Sequence, residues 1–313
     1  MDGEILGKTK LNITRRSLKK EATYHLMLLP GVLLTFVFCY IPIFGLTMAF
    51  QNFKPAFGLF GPQEWVGLNN LLLLFKQPDI YQILFNTIFI SVMKGIFGII
   101  VPVVVALMLN EIRECGVKKG IQTIIYLPHF ISWVVIASML VNVLSPGTGI
   151  VNIILSKLNL EEIFFLGDDK VFPWVLIVSD IWKEFGYGSI VYLAAIVGID
   201  PTLYEAAKID GANKFEQIWH ITLPGIRGMI ALLAMLSLGN ILNAGFDQVY
   251  NLLNNAVLST GQILDTYIYD LAFGGGKNYS LSAMAGLFKS TVGFMLISLG
   301  YYLSYKFADY KLF

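Results

Sequence analysis

The stretch Asp200–Gly228 reads DPTLYEAAKIDGANKFEQIWHITLPGIRG. Its punctuation is that of two short helices joined by a tight turn. Asp200 is a good N-cap, because its carboxylate accepts from the free N–H groups of a first turn, and Pro201 suits the first helical position, where no N–H is needed. The spacing predicts a helix over Thr202–Asp210. Gly211 ends it, since glycine takes the left-handed backbone conformation at low cost. A second helix over Asn213–Leu223 sets Phe215, Ile218, Trp219, Thr222 and Leu223 along one face. Pro224 and Gly225 are expected to break that helix. The outcome is a compact knob, with Ala206 and Ala207 leaving its first helix narrow enough to slip into a groove on another protein.

On both sides of the knob the chain is apolar. Of 313 residues, 56% are apolar and only 14% charged, against about 25% charged in ordinary soluble domains. A net charge of +1 without an extensive basic patch excludes a nucleic-acid binder. Six runs are long enough to cross a hydrocarbon core of about 30 Å. They are Leu26–Phe50, Tyr81–Leu109, Ile121–Leu144, Val171–Gly198, Ile226–Tyr250 and Leu281–Phe307. The runs are continuous rather than alternating, which excludes a β-barrel. Gly, Ser, Pro and polar side chains interrupt them, as in a packed bundle. The expected fold is therefore an all-α integral membrane protein of six transmembrane helices. Residues 1–25 form an N-terminal segment and 26–313 the six-helix domain, with the loop 199–227 inside it.

Orientation follows from lysine and arginine. One side collects Lys8, Lys10, Arg15, Arg16, Lys19 and Lys20, then Arg113, Lys118 and Lys119, Lys208, Lys214 and Arg227, and Lys306 and Lys311. That side has fourteen basic residues, against five on the other: Lys54, Lys76, Lys157, Lys170 and Lys277. The bias places both termini and the knob in the cytoplasm of a multi-pass protein. The loops Gln51–Ile80, Ser145–Lys170 and Asn251–Ser280 then face outward. Asn12–Tyr24 reads as a surface helix capped by Asn12 or Thr14, with its basic residues fixing topology or touching anionic lipid. The two cysteines, Cys39 and Cys115, fall at different membrane depths, so no disulfide is expected.

Glu205-Ala206-Ala207, Gly211 and Ile221-x-Leu223-Pro224 together reproduce the EAA loop of ABC importer permeases. The fixed spacing is E-A-A-x3-G-x9-I-x-L-P. Seven matches at that spacing arise by chance about once in 10^8 start positions. Asp210 and Ala212 extend the motif to the DGA form of sugar permeases. Further segments look alike: Ile41-Pro42-Ile43, Trp65-Val66-Gly67-Leu68, Leu109-Asn110-Glu111, Tyr126-Leu127-Pro128-His129, Asp180-Ile181-Trp182-Lys183 and Asp265-Thr266-Tyr267. From Ala22 to Phe313 the chain resembles the oligosaccharide and polysaccharide permeases of the lipoate-regulated-protein-B type. Gly228 departs from the pattern, since many relatives carry a second proline there.

The resemblance implies the type I ABC importer permease fold in a bacterial plasma membrane. It implies half of a pathway, completed by a second permease subunit expected to be a different chain. Two ATPase subunits would each receive one EAA loop, and an extracytoplasmic solute-binding protein would deliver carbohydrate. In that picture Glu205 makes a polar contact with the ATPase, Gly211 sets the angle between the helices, and Ala206 and Ala207 permit close packing. The chain itself is expected to be no enzyme and to bind no cofactor, with ATP and Mg held by the partner ATPases. It lacks the G-x4-G-K-S/T pattern, for neither Gly286-Leu287-Phe288-Lys289-Ser290 nor Gly274-Gly275-Gly276-Lys277 completes it.

Charges within a span need a partner or a water-filled cavity. Lys94, Asp180, Lys183, Glu184, Asp247 and Lys289 are such charges. Asp180 and Lys183 share a helical face and are expected to pair, and Lys94 or Lys289 to pair with Asp247 or snorkel. Asp180, Trp182, Lys183 and Tyr187 mix polar and aromatic groups, as sugar recognition requires, and are candidates for the pathway. They serve equally as an interhelical polar network. Asn240, Asn243 and Asp247 lie at helical spacing on one face of the fifth run and are candidates beside the same axis, or helix–helix hydrogen-bonding groups. An ion-coupled secondary sugar transporter is the alternative; it would use the intramembrane acids as ion sites and leaves the EAA loop without a role. His25, His129 and His220 stand apart from any catalytic pattern. Glu161, Glu162, Asp168 and Asp169 make one outer loop acidic, for solvent or for a binding protein.

Overall fold

The computed structural model describes residues 15–112 and 116–307, with side chains for 22–112 and 116–302. The expected caps Asn12 and Thr14, most of the basic N-terminal segment, and Cys115 lie outside the described residues. Helix α1, Arg15–Thr35, runs on through a π-helical turn at Phe36–Tyr40 into a 3-10 segment, Ile41–Phe50. Pro42 brings no N–H, and the register loosens just ahead of it, with Ile41 N–H reaching back to the Phe36 carbonyl. The most apolar stretch of this first span buries nothing against the rest of the chain. A helix apolar all round and unburied is suited to lipid or to another subunit.

A two-residue clasp follows that the sequence reading did not contain. Strand β1, Gln51–Asn52, pairs antiparallel with β2, Glu64–Trp65. Buried Asn70, at the start of helix α2, Asn69–Phe75, donates to the carbonyls of Ala49 (2.8 Å) and Gln51 (3.0 Å) and fixes the clasp to the bundle. Helix α3, Ile80–Glu111, is the second span.

The third run departs from expectation. It is two helices, α4 (Gly116–Tyr126, continued by a 3-10 turn Leu127–Phe130) and α5 (Trp133–Leu144), bent by 102°. Pro128 supplies no N–H, and Ile131 and Ser132 take extended backbone angles, so a new helix starts in a new direction. After the short helix α6, Ile150–Lys157, comes α7, Phe172–Val197, the fourth span. Helix α8, Pro201–Ile209, is bent 70° from it.

Helix α9, Lys214–Gln217, passes through a π turn at Ile218–Thr222 into α10, Leu223–Leu238. Pro224 and Gly225 therefore do not break the second knob helix, contrary to expectation. The π turn, where Leu223 N–H bonds to the Ile218 carbonyl, absorbs the proline's missing donor, and one rod runs from Lys214 to Leu238. The fifth run then ends early. Residues 239–245 form turns, and Gly245 at φ +93 opens a separate helix α11, Phe246–Leu252. Helices α12 (Leu258–Gly261), α13 (Leu264–Phe273) and α14 (Tyr279–Phe307) complete the chain. Among the described residues four helices are by themselves long and apolar enough to cross a membrane, and up to six spans are reached by length and composition if each bent pair, α4 with α5 and α7 with α8, is one.

Helices α3 and α7 form the central packing. Val103 and Ala106 of α3 meet Tyr192 and Ile196 of α7 and Ile226 of α10 in one cluster. A second cluster gathers Ile90, Leu176, Ile177, Ala244 and Val249. A third joins Leu74, Ile80, Ile83, Leu264, Leu281 and Ala285. Gly186 of α7 lets α4 lie against it, since a Cβ there would fall 2.0 Å from the Ile125 carbonyl oxygen.

Candidate functional site

The knob is held by its own polar groups. Asp200 Oδ1 accepts from Thr202 N–H at 2.9 Å, and this bond holds the exposed carboxyl below its ordinary range. Gly211 sits at φ +81, where a side chain is strained. Asn213 and Glu216 form a reciprocal capping box, at 2.7 and 3.0 Å. Buried Gln217 donates to the Ala212 carbonyl at 3.0 Å, and the hydroxyls of Tyr204 and Thr222 meet at 3.0 Å across the two helices. Lys214 pairs with Glu111 at 2.7 Å and so ties α9 to the end of α3. The sequence reading passed over Tyr204 and Gln217 and used Lys214 for orientation alone. The Asn213-x-x-Glu216 pattern was the one local signal of the box.

What the knob offers outward is apolar. Ile209 is 87% exposed, Phe215 73%, Trp219 60% and Leu203 52%. Glu205, Ala206, Asp210, Gly211 and Pro224 are exposed, while Ala207, Ala212, Ile221 and Leu223 are half-buried. The expected single face of the second helix divides: Phe215 and Trp219 stack outward, whereas Thr222 is buried and Ile218 partly so.

The cap has a pH signature. Because the folded carboxyl of Asp200 titrates below its unfolded value of about 3.9, its contribution is complete above that value and fades as pH falls through the lower folded one. Asp200→Ala is expected to speed amide hydrogen exchange in residues 202–206 at neutral pH, and Asp200→Asn, itself a good N-cap, to preserve protection. Equal exchange in all three proteins would show that the cap does not hold the helix.

Inside the bundle, the ion pairs are not those expected. Asp180 does not pair with Lys183. It meets Lys94 of α3 at 3.4 Å. Residues three apart can pair along a helix, but Lys183 Nζ is taken by the His129 carbonyl and Glu184, and the Asp180 carboxylate by Lys94 of α3. Lys94 Nζ also donates to the Ala244 carbonyl (2.7 Å) and to Gln248 Oε1. Gln248 in turn donates to Leu176 O and Ser179 Oγ, at 2.7 and 2.8 Å. This network clamps the end of the fifth-run break, where a Cβ on Gly245 would fall 3.1 Å from Lys94 Nζ.

Buried Lys183 donates to His129 O (2.8 Å) and Glu184 Oε1 (2.9 Å), and lies over the Trp133 ring. His129 does not stand apart. Its Nδ1 is 2.7 Å from Glu184 Oε2, and its ring stacks on Tyr187 at 3.9 Å. Asp180, Glu184 and Tyr187 line one small cavity of about 140 Å³. Trp182 is part of a separate apolar cavity beside α5.

Asn240, Asn243 and Asp247 do not share a helical face. Asn240 and Asn243 stand in the turn after α10, and Asp247 begins α11. All three are exposed. Neither lysine pairs with Asp247: Lys94 is bonded to Ala244 and buried Gln248 on either side of it while Asp247 itself is exposed, and Lys289 pairs with Asp265 at 2.5 Å. The acids of the Ser145–Lys170 loop are partly used within the chain. Glu162 accepts from Gly147 N–H, Asp168 from Lys170 N–H, and Asp169 from the hydroxyls of Ser259 and Thr260.

Residues 98–309 match the family described as binding-protein-dependent transport system inner membrane component. Protein LplB of Bacillus subtilis (strain 168) is 40% identical over 297 residues, covering 95% of this chain and 93% of its own. The polygalacturonan/rhamnogalacturonan transport system permease protein YteP of the same organism is 39% identical, covering 99% and 96%. Among solved structures, a bacterial ABC transporter involved in the import of the acidic polysaccharide alginate superposes with a TM-score of 0.85 at 38% identity, over 93% of this chain and 98% of that one. A second structure, the alginate transporter in complex with an alginate pentasaccharide-bound periplasmic protein, gives 0.83 at 37% identity, covering 92% and 96%. With an EAA-type knob, a multi-pass helical bundle and these relatives along nearly its whole length, the chain belongs to the binding-protein-dependent transport system inner membrane components, the permease subunits of ABC importers.

Proposed function

We propose that this chain forms half of the translocation pathway of an oligosaccharide importer in a bacterial plasma membrane, driven by separate ATPase subunits that grip the knob. Both termini lie in the cytoplasm, as the fourteen-to-five basic bias requires. The observation that carries the reading is the knob itself: a rigidly capped helical pair with Leu203, Ile209, Phe215 and Trp219 exposed to solvent. Large apolar side chains on a polar-capped projection mark a surface for another protein. Glu205, Ala206, Ala207, Asp210, Gly211 and Ala212 lie in the part that enters the ATPase cleft, and Ile221, Leu223 and Pro224 join it to the fifth span. Energy then travels along the unbroken rod from Lys214 to Leu238 to the turn that carries Asn240 and Asn243.

Carbohydrate as cargo is supported by the polygalacturonan/rhamnogalacturonan relative and the alginate transporters. A binding protein that delivers it is supported by the complex with the periplasmic protein. A different second permease completes the pathway, and ATP and Mg stay on the ATPases. Of the candidate pathway residues, Tyr187, Asn240, Asn243 and Asp247 are accessible enough to meet a sugar. Trp182 faces another cavity, and Asp180 and Lys183 are held by polar partners within the bundle. An ion-coupled mechanism loses its best ion site in the same way, since Asp180 is paired with Lys94.

The decisive test is crosslinking in the assembled transporter. Ala207→Cys and Lys208→Cys are expected to form disulfides with cysteines placed along the ATPase cleft, with the yield changing when ATP is added. If no ATPase position crosslinks to either, docking through the knob is wrong.

A further inference from the structure

The 102° bend of the third run rests on α7 through ionisable side chains. His129 stands in the 3-10 turn just before the bend. Its Nδ1 is 2.7 Å from Glu184 Oε2, and the other oxygen of the same carboxylate accepts from Lys183 at 2.9 Å. Lys183 also donates to the His129 carbonyl at 2.8 Å, so α7 holds both the ring and the backbone of this residue. The imidazole lies flat on Tyr187, with ring centres 3.9 Å apart and planes 2° off parallel. The group is not sealed in a core. The side chains of His129 and Glu184 are 29% and 42% exposed, and Glu184 and Tyr187 line the cavity of about 140 Å³.

The elements around the imidazole bring a small set of further ionisable groups. Asp180 lies one turn before Glu184 on α7 and is paired with Lys94 of α3. Helix α5 has none between Trp133 and Leu144, and α4 brings Tyr126, with Lys118 and Lys119 toward its far end. With a neutral imidazole, Lys94 and Lys183 balance Asp180 and Glu184. A proton on the imidazole adds a fifth charge. That charge falls within hydrogen-bond distance of a carboxylate and over an aromatic face, and both favour a cation. Lys183 opposes it from beyond the Glu184 carboxylate, which bridges the two. The attraction acts between touching groups and the repulsion across an intervening negative charge, so attraction prevails. Acid therefore tightens the hold of α7 on the bend.

The place of this contact in the fold gives it a consequence. Helix α7 leads through a 70° bend into α8, the first helix of the knob, and the bend after His129 leads into α5, which packs on α11. A movement imposed on the knob has a route to α5 through α7 and the bend. We propose that His129, Glu184 and Tyr187 form a pH-sensitive latch between α7 and the bend, in which a protonated His129 holds the present arrangement and slows the change of conformation that import requires. The latch rests on the proposed import reading and adds a regulator to it. A conformation in which the bend and α7 separate deprives the imidazolium of both its partners, and a proton bound more tightly in one conformation shifts the population toward it. Imidazole suits the task, because it is the side chain that ordinarily changes charge between about pH 5 and 8.

The test uses the complete transporter with its binding protein in proteoliposomes, buffered to the same pH on both faces. The probes are a galacturonate pentamer, an alginate pentasaccharide and maltopentaose. His129→Gln keeps a donor for Glu184 and cannot take up a proton, and His129→Asn repeats the comparison with a shorter side chain. The import rate of the variant divided by that of the parent cancels the pH dependence of the ATPases and of the binding protein. For an imported probe this ratio is expected to lie within twofold of one at pH 8.0 and to rise at least threefold at pH 5.5. A ratio that stays flat or falls with acid, in whichever variant imports at pH 8.0, overturns the latch and leaves the import reading standing. Loss of import at pH 8.0 in both variants also overturns it, because His129 is then required for the structure and is not a switch. Failure of the unmodified complex to import any of the three probes at pH 8.0 overturns the oligosaccharide reading, and the latch falls with it.

Discussion

Lys94→Met is expected to destabilise the bundle by about 3–5 kcal/mol, the range for leaving one member of a buried ion pair without its partner. Three groups lose their donor at once: the Asp180 carboxylate, the Ala244 carbonyl and Gln248 Oε1. The side chain of Lys94 is only 9% exposed and that of Asp180 25%, so water replaces little of what is lost. The damage should appear as a lower yield and a lower melting temperature of the purified transporter. Lys94→Met combined with Asp180→Asn removes the stranded charge and should recover most of the loss. The recovery has a limit, because the carbonyl at the fifth-run break still lacks its donor. A single variant as stable as the parent protein would mean that the pair is not what holds α3, α7 and the break together.

The second large effect is expected at Gly211, and on transport rather than stability. Its φ of +81 is costly for any residue with a Cβ, and most for a β-branched one. No atom lies within 4 Å of where a Cβ would be, so the penalty is conformational and not a clash. Gly211→Val should release about 1–3 kcal/mol of strain by changing the angle between α8 and α9. Import and substrate-stimulated ATP hydrolysis are expected to drop at least tenfold, with the melting temperature of the complex almost unmoved, since Gly211 is exposed and belongs to none of the three buried clusters. Gly211→Asn, which tolerates a left-handed backbone better, should keep most of the transport. Equal activity of the valine and glycine proteins would remove the turn from the coupling route.

Most of the first helix of the knob was legible along the chain because its determinants are local. A cap, a proline at the first helical position and a glycine at the stop act within a few residues, and Asp200, Pro201 and Gly211 do in the structure what those residue types do elsewhere. Proline was the unreliable sign. Pro128 does end a helix, yet Pro224 sits inside a continuous rod, because a π turn before it had already shifted the hydrogen-bond register. Spacing alone could not tell these cases apart. The expected alignment of Asn240, Asn243 and Asp247 failed for a related reason. It assumed an uninterrupted helix where a buried lysine from another span captures the Ala244 carbonyl.

By itself, the order of amino acids determined that this is a helical membrane protein, roughly where its spans run, and that it carries an importer's double-helical knob, since apolar run length, capping and motif spacing are properties of contiguous residues. Tertiary structure alone decided which charges meet. Lys94 finds Asp180 on another span, Lys289 finds Asp265 on α13, and Lys183, already beside Glu184, gains the His129 carbonyl across a bend. Each of the partners other than Glu184 lies dozens of residues away or on a face that only packing brings round. In a medium that penalises every unpaired charge, the packing of helices supplies the counter-charge of Lys94 and of Lys289, whereas Lys183 has its own at the next residue in sequence.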